Sequence, residues 1–328
     1  MGTSSQRILK VGTRDSPLAM QQTQQVIQLL LQEKAFADVQ FEIVALKALG
    51  DLHLKDSLSD LGLQTGNYGV FVKELEQGLL RGEIDFAVHS LKDMPSCLPE
   101  GLVVRPFALR EDVRDAFIAA DGVTHFQELP PNSVVGTSAV RRVAQLKKMR
   151  PDLVYQNIRG NVQTRFRKLE EEGYDATILA VAGLNRLGLA EKITHVFCPE
   201  RELIPAVGQG VLGLEFHREH PFAQQLSTIK KNETLDACVF AERELMRLLE
   251  GGCQLPLGAY AKPKQNQTGF TFFVQLLNAE ASLEVSRQVE FHTFNQTEIQ
   301  KDIESLVEDM LRSGAQAIRN SLHIVSDR

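Results

Sequence analysis

Residues Val134 to Lys168 read VVGTSAVRRVAQLKKMRPDLVYQNIRGNVQTRFRK, and this stretch determines how the rest of the chain is interpreted. It holds nine Lys and Arg residues and one acid, Asp152, so its formal charge is +8. The whole chain of 328 residues has a formal charge of −6 at pH 7. A basic segment inside an acidic protein indicates a local site for anions rather than general affinity for polyanions.

Two arginines in this stretch fall where a helix disfavours cations. A strand that ends at Val135 is followed by a turn, a candidate cap at Ser138 and a predicted helix over residues 139–149. Arg141 and Arg142 then occupy the first helical turn, where the helix dipole costs each cation roughly 0.3–1 kcal/mol. An anion among them would reverse this cost, so we predict one there.

The same pattern recurs directly afterwards. Residues 153–158 predict a strand, which is followed by a turn at Arg159, a cap at Asn161 and a helix that carries Arg165. A solvated helix face is the competing interpretation of all these basic residues. This interpretation suits the lysines of the stretch, Lys147, Lys148 and Lys168, better than it suits the arginines at the turns.

Length and composition predict a globular protein of two or three domains. Hydrophobic residues make up 43% of the chain and charged residues 24%. We find neither an apolar run near the ~20 residues of a membrane span nor the apolar stretch of a signal peptide. The four cysteines, Cys97, Cys198, Cys238 and Cys253, are far apart in the sequence. This spacing predicts free thiols in a reducing cytoplasm and no metal site.

Strands and helices alternate over residues 7–110, which predicts an α/β domain. Ser16 caps the first helix ahead of a proline, so Arg14 also lies at a strand-to-helix turn. Residues 50–69 are rich in Gly, Asp, Asn and Ser and predict a long loop of the kind that covers binding sites.

A strand over residues 84–91 leads directly into Lys92 and Asp93. In open α/β sheets, ligands bind beyond the carboxyl ends of the strands. Near a cationic pocket, the Asp93 carboxylate could donate a proton or serve as a counter-ion. A surface Lys–Asp pair explains the local pattern equally well.

Later segments predict a second α/β domain and a smaller α+β domain. Arg186 follows the predicted strand over residues 176–180, and the alternation of glycine with apolar residues over 206–214 predicts a return to the first domain. From about residue 228, one helix, three strands and a helix that stops at Gly314 predict the α+β domain.

Eight motifs, in this order, resemble the porphobilinogen deaminase family, also called the hydroxymethylbilane synthase family. They span about residues 8 to 260, and together they are far more specific than any one alone. The motifs are VGTRDSPLA (Val11 to Ala19), FVKELE (Phe71 to Glu76), VHSLKDMP (Val88 to Pro95), VVGTSAVRR (Val134 to Arg142), IRGNVQTR (Ile158 to Arg165), LAVAGLNRLG (Leu179 to Gly188), PAVGQG (Pro205 to Gly210) and EGGCQLPLG (Glu250 to Gly258).

The resemblance implies an α/β fold with two domains like those of periplasmic binding proteins, a cleft between them, and a small C-terminal α+β domain. Domain one would comprise residues 1–112 and 205–227, domain two residues 113–204, and domain three residues 228–328. The enzyme would join four porphobilinogen units head to tail, release four ammonia molecules, and hydrolyse the product to hydroxymethylbilane for tetrapyrrole and heme biosynthesis. It would act as a cytoplasmic monomer, binding no nucleic acid and no membrane.

The resemblance also implies the roles of individual residues. Asp93 would be the catalytic carboxylate, and Cys253 would hold a dipyrromethane cofactor through a thioether. The carboxylates of the cofactor would be bound by residues from two motifs, namely Lys92, Asp93, Thr137, Ser138, Arg141 and Arg142. The incoming and growing pyrroles would be contacted by Arg14, Ser16, Phe71, Arg159, Arg165, Arg186 and Gln209. No residue is implied as a metal ligand.

Other interpretations stay open at this level. The residues alone would make Cys253 a buried structural cysteine, since a helix C-terminus disfavours a thiolate. A two-lobed carboxylate-binding protein without catalysis would also suit the arginines, but it would not explain Asp93 or a third domain. A nucleic-acid binder is disfavoured by the acidic pI of about 5.8, by only four Tyr and by the lack of Trp.

Overall fold

The computed structural model describes residues 7–46, 68–119, 122–249, 255–265 and 268–326. The chain divides into two compact units, one of residues 1–109 and 211–232 and one of residues 110–210 and 233–328. The loop predicted at residues 50–69 lies almost entirely outside the described residues. The three-domain boundaries drawn from the sequence stay a prediction. Across the described ranges, no helix is long and apolar enough to cross a bilayer.

The helices and strands of the described residues follow one another along the chain in three groups. Up to residue 107 they are β1 (Arg7–Arg14), α1 (Pro17–Leu31), β2 (Val39–Leu46), α2 (Tyr68–Leu80), β3 (Phe86–Ser90) and β4 (Leu102–Phe107). Next come β5 (Asp115–Ala119), β6 (Val134–Gly136), α3 (Val140–Met149), β7 (Val154–Gln156), α4 (Val162–Glu171), β8 (Ala176–Ala180), α5 (Val181–Arg186) and β9 (His195–Val196). The last are β10 (Leu212–His217), α6 (Ala223–Thr228), α7 (Glu233–Leu248), β11 (Leu257–Pro263), β12 (Phe270–Leu277), β13 (Glu284–Phe291), α8 (Gln296–Met310) and α9 (Gln316–Ser326).

The first unit is built on a five-stranded sheet with the order β2-β1-β3-β10-β4. β1 pairs in parallel with β2 and β3, whereas β10 runs antiparallel to both β3 and β4. The predicted return of the chain after residue 206 is confirmed, because β10 joins this sheet. Alternate residues of its strands bury apolar side chains against helices on both faces, as period-two patterning requires.

The second unit holds a sheet of the same design and a smaller one. The five strands follow the order β7-β6-β8-β5-β9, in which β6, β7 and β8 are parallel and β5 is antiparallel to β8 and β9. The three antiparallel strands β11, β12 and β13 form the smaller sheet. Helices α7 and α8 share a core with it. The predicted mixed α/β fold, with two five-stranded sheets and a smaller part built from an antiparallel sheet and helices, is confirmed.

Two local predictions were wrong. Arg14 was placed in a turn, but it is the last residue of β1 and pairs with Leu46 of β2. Gly314 was expected to end the last helix. It has a φ of 113° inside a wide turn, and α9 continues the chain beyond this kink. Glycine tolerates the left-handed conformation, so it permits a bend at this position rather than a stop.

Candidate active site

One edge of the first sheet carries four of the predicted site residues. β1 and β3 are parallel, so their carboxyl ends meet at this edge. Arg14 ends β1, and Ser16 caps α1 by accepting a hydrogen bond from the amide of Ala19 at 3.3 Å. Lys92 and Asp93 lie half-buried in a single 3₁₀ turn directly after β3. The structure therefore brings Arg14, Ser16, Lys92 and Asp93 to the edge where α/β sheets bind ligands.

The turn that carries Asp93 is held in place by its neighbours in the first unit. Leu91 is 1% exposed, and its amide donates to the carbonyl of Val211 at 3.0 Å. Ser90 exchanges hydrogen bonds with the side chain of Gln22 of α1: Gln22 Nε2 donates to Ser90 Oγ at 3.0 Å, and Ser90 Oγ donates to Gln22 Oε1 at 3.3 Å. These contacts fix the backbone on which Lys92 and Asp93 stand.

The corresponding edge of the second five-stranded sheet carries Thr137 and Ser138, which follow β6. Ser138 was expected to cap α3, and this prediction was wrong. Its hydroxyl donates instead to the carbonyl of Ile158 at 2.7 Å, and Ala139 takes the cap position without a side-chain hydrogen bond. Thr137 Oγ1 accepts from the amide of Ala139 at 3.3 Å.

The two arginines of the first turn of α3 share one buried acid, Asp115. Arg141 donates to Asp115 Oδ2 at 2.7 Å and to the carbonyl of Ile204 at 2.7 Å. Arg142 donates to Asp115 Oδ1 through Nη2 at 2.6 Å and Nε at 3.1 Å, and to the carbonyl of Ile178 at 2.8 Å. The arginines are each 5% exposed and Asp115 is 0% exposed.

This cluster of Asp115, Arg141 and Arg142 keeps one positive charge in excess. Burial by itself would raise the pKa of the Asp115 carboxyl, but the two guanidinium groups outweigh burial and hold that pKa well below its usual range. Burial lowers the pKa of Arg141, an effect that Asp115 opposes. Two guanidinium cations therefore face one carboxylate anion. The protein itself supplies only one of the two negative charges that would neutralise them, which leaves one positive charge for the anion that the sequence predicts.

Sequence reasoning missed Asp115, although one signal was present. An acid at the first position of an apolar strand, as in DAFIA, is costly to bury without a charged partner. Gln209 also reaches this acid: its side-chain nitrogen lies 3.1 Å from Asp115 Oδ1 and 2.7 Å from the carbonyl of Val113. Gln209 is only 1% exposed. Gln209 is therefore buried beside Asp115, the acid that both arginines also contact.

The remaining predicted arginines are more accessible. Arg159 is exposed, and Arg165 is half-buried, with its Nε donating to the carbonyl of Gly160 at 3.0 Å. The predicted cap at Asn161 is confirmed, because its side chain accepts from the amide of Thr164 at 2.8 Å. Arg186 donates to the carbonyl of Gly210 at 3.1 Å, and burial lowers its pKa.

The lysines assigned to a solvated face are ion-paired. Lys147 lies 2.7 Å from Glu280, which precedes β13, and Lys148 lies 2.5 Å from Glu284, the first residue of β13. Lys168 of α4 pairs with Glu172, the residue directly after that helix, at 3.2 Å. The last turn of α3 is therefore attached by ion pairs to the start of β13 in the small sheet.

A second buried ion pair in this unit was also missed by sequence reasoning. Arg110 binds Glu242 of α7 through both terminal nitrogens, at 2.6 Å and 3.1 Å. The same carboxylate accepts from the amides of Gly208 at 2.7 Å and Ala261 at 2.9 Å. Glu242 thereby joins residues 208–210 to the small α+β part of the unit.

Two predicted site positions lie outside the described part of the chain. These are Cys253 and the side chain of Phe71. The cysteines within the described residues are free thiols, and burial raises the pKa of Cys238 to about 12. Among the same residues, no cluster of His, Cys, Asp and Glu is suited to a metal ion.

Comparison with known proteins gives a consistent result over most of the chain. The family model described as "Porphobilinogen deaminase, dipyromethane cofactor binding domain" matches residues 9–225, and the model of the C-terminal domain of the same family matches residues 237–310. A porphobilinogen deaminase of Chlorobium phaeobacteroides is 38% identical over 310 residues, which are 94% of this chain and 96% of the relative. One of Paenibacillus macerans is 46% identical over 259 residues, which are 78% of each chain.

Likeness to solved structures is remote. A periplasmic sulfonate-binding protein, SsuA of Methylobacillus flagellatus, covers 76% of this chain at 11% identity with a TM-score of 0.39, and the match includes 69% of that structure.

Proposed function

Because this chain belongs to the porphobilinogen deaminase family, we propose that it is a hydroxymethylbilane synthase whose cofactor, catalytic and substrate-binding residues are those of the two strand edges and Cys253. Four porphobilinogen molecules are joined head to tail. Each condensation forms one carbon–carbon bond and releases the aminomethyl nitrogen as ammonia, and water then releases the linear product. The family match over residues 9–225 is the observation that carries this proposal.

The residues of the second unit suit the dipyrromethane cofactor. The acetate and propionate groups of such a cofactor are anions, and the cluster of Asp115, Arg141 and Arg142 has one cation in excess. When bound through Cys253, the cofactor supplies the pyrrole to which the first substrate is added. In this proposal Arg141 and Arg142, with Thr137 and Ser138, hold its carboxylates.

Asp93 is proposed as the catalytic carboxylate. Loss of ammonia leaves positive charge on a pyrrole ring, and a fixed carboxylate stabilises charge of that sign. The buried backbone of Leu91 and the Gln22–Ser90 pair fix the turn on which Asp93 stands. Preorganisation of this kind avoids the cost of reorienting the group during the reaction.

Binding of the substrate carboxylates is assigned to arginines at the strand edges. Arg14, with Ser16, would act from the first unit, and Arg159, Arg165 and Arg186 from the second. Gln209 is 1% exposed and would support the cofactor arginines through Asp115 rather than contact the substrate itself. Lys92 adjoins Asp93 and would bind a cofactor carboxylate. The ring of Phe71 would contact the pyrroles. We further propose a cytoplasmic monomer that binds neither nucleic acid nor membranes, in agreement with the free thiols of Cys97, Cys198 and Cys238.

Two variants test these assignments. Intact mass of the purified protein should exceed the sequence mass by one dipyrromethane, and Cys253→Ser should abolish the increment. Asp93→Asn should retain fold and cofactor but lose turnover by about 100-fold or more, because only the charge is removed. Glu100→Gln, an exposed carboxylate seven residues along the chain, serves as the matched control and should leave turnover unchanged.

Near-normal turnover of Asp93→Asn would reject the role of Asp93. Full activity of a protein without the mass increment would reject the role of Cys253.

A further inference from the structure

Three acid–base side chains lie buried together in the first unit, apart from the cofactor, catalytic and substrate-binding residues. They are Glu76 of α2, His89 of β3 and Glu215 of β10, at 6%, 7% and 0% exposure. His89 Nε2 is 2.9 Å from Glu215 Oε2. Glu76 Oε1 and Glu215 Oε1 are buried and have no hydrogen-bond partner among the described residues.

His89 and Glu215 lie on the face of the sheet that packs against α2, the helix that carries Glu76. The face that packs on α2 is formed by alternate residues, among them Gly12, Ala87 and Leu102, which lie close to Leu75 and Ile84 or share a core with them. By the same alternation, the charged and titratable strand residues on this face are Lys10, Arg14, Glu42, His89, Glu215 and His217; β4 contributes none.

Only part of this set acts on Glu76. Lys10 and Glu42 are exposed, and His217 accepts a hydrogen bond from the amide of Glu219 through Nδ1. Burial and the charge of Glu215 raise the pKa of Glu76 to about 7, while His89 and the exposed Lys73 act in the opposite direction.

Two buried carboxylates beside one imidazole are unfavourable when both are ionised. Like charges in a site of low polarity repel strongly, and each ion also loses hydration. One proton on one of the carboxyls removes both costs. Glu215 lies 2.9 Å from His89, whereas burial and the charge of Glu215 both disfavour an ionised Glu76, so Glu76 is the group that gains most from the proton.

The cluster lies directly before the proposed catalytic turn. His89 is opposite Gly213 and Ser90 is opposite Leu212 in the pairing of β3 with β10, and the amide of Leu91 continues this pairing to Val211. A change in how β3 is held at His89 is therefore transmitted along a continuous hydrogen-bonded ladder to the turn.

We propose that Glu76 is a positioning residue that acts as a neutral acid: it keeps a proton beside the His89–Glu215 pair and so holds β3, with the Lys92–Asp93 turn, against β10 and α2. This inference rests on the role proposed for Asp93. Loss of the proton places a second negative charge next to Glu215, which loosens α2 and misplaces the turn.

Glutamine reproduces the neutral acid in shape and charge, so it separates this proposal from a role of the ionised carboxylate. We would compare wild type, Glu76→Gln, Glu76→Ala and the control Glu74→Gln, which changes a less buried acid on the same helix. The preparations would be matched for cofactor content by intact mass. kcat and KM would be measured from about pH 5.5 to about pH 8.5, with hydrogen exchange of α2 and β3 at each pH.

The proposal expects Glu76→Gln to keep kcat within about twofold at the acid end, and the ratio of its kcat to that of wild type to rise by about threefold or more toward the alkaline end. Protection of α2 and β3 should fall with pH in wild type relative to Glu76→Gln. Glu76→Ala should lower kcat about tenfold with KM within about twofold. Glu74→Gln should follow wild type throughout.

A Glu76→Gln variant as impaired as Glu76→Ala would overturn the proposal, and so would a kcat ratio and a protection difference that do not vary with pH. Altered protection with unchanged kcat would reduce Glu76 to a structural residue and also reject it. If Glu76→Ala does not fold, the Glu76→Gln series decides alone. If Asp93→Asn is active, the role of Asp93 fails, while the exchange data still test whether Glu76 keeps a proton.

Discussion

The two five-stranded sheets share one strand order but surround a buried carboxylate with different neighbours. Each has a single strand inserted antiparallel to its central parallel strands, β10 in one and β5 in the other, and each of these strands carries a fully buried carboxylate. Asp115 of β5 faces two guanidinium groups. Glu215 of β10 faces one imidazole and a second acid, Glu76.

This difference in neighbours decides how each acid responds to pH. The excess of cations keeps Asp115 ionised over the whole neutral range. Burial, together with the charge of Glu215, raises the pKa of Glu76 to about 7. The shared topology therefore fixes where a charge is buried, whereas the residues around it determine whether the site attracts an anion or keeps a proton.

The largest effect is expected from neutralising Asp115. Asp115→Asn leaves two buried guanidinium groups without their anion, so we expect a loss of about 3–5 kcal/mol in the stability of the second unit. Hydrogen exchange of β5, β8 and α3 measures this loss. Asp112→Asn is the matched control, since Asp112 pairs with Arg114, whose side chain is 46% exposed, and exposed pairs contribute about 0–1 kcal/mol. Equal losses in the two variants would contradict the proposed importance of the buried cluster.

An intermediate effect is expected when the pH of the wild-type protein is changed. The raised pKa of Glu76 stabilises the fold fully below its ordinary value of 4.5, and this contribution is lost as the pH rises to about 7. Its size is at most about 3 kcal/mol. The lowered pKa of Asp115 has the opposite sign, because that stabilisation is lost only in strong acid, as the pH falls through the folded-state pKa.

Hydrogen exchange at about pH 5 and about pH 7.5, corrected for intrinsic rates, would measure the contribution of Glu76, because that of Asp115 is constant over this range. Protection of α2 and β3 should decrease at the higher pH, while that of β5 and α3 should not change. The comparison of the two sheets would fail if both units lost the same protection.

The smallest effect is expected from Glu215→Gln, about 1–2 kcal/mol in the first unit near neutral pH. The variant weakens the hydrogen bond to His89, but it also removes the charge that, after burial, raises the pKa of Glu76. The pH dependence of protection in α2 and β3 should therefore shrink at the same time. Stronger pH dependence in this variant would show that a group other than Glu76 is responsible.

Elements that depend on local chemistry could be predicted from the sequence. Ser16 and Asn161 cap their helices as expected, because the side-chain oxygen of each accepts a backbone amide of the first turn. Ser138 was also a good local candidate for a cap. It fails because its hydroxyl finds the carbonyl of Ile158, twenty residues further on, in the neighbouring strand-to-helix segment.

Among the site residues too, features set by local sequence could be predicted and contacts between distant residues could not. The arginines at the strand ends could be found because the helix dipole makes cations in the first turn conspicuous. Their buried partner, Asp115, could not be paired with them, since 26 and 27 residues separate it from Arg141 and Arg142. His89 and Glu215 are 126 residues apart, and no sequence pattern connects them.

The sequence by itself determined the alternation of strands and helices, the basic turns, and the family motifs that carry Asp93 and Cys253. Only the tertiary structure decided which charges are neutralised, because strand insertion brings distant residues together in a region that excludes water. Free energies of ionisation depend on burial and on charges within a few ångströms, and both arise only when the sheets have assembled.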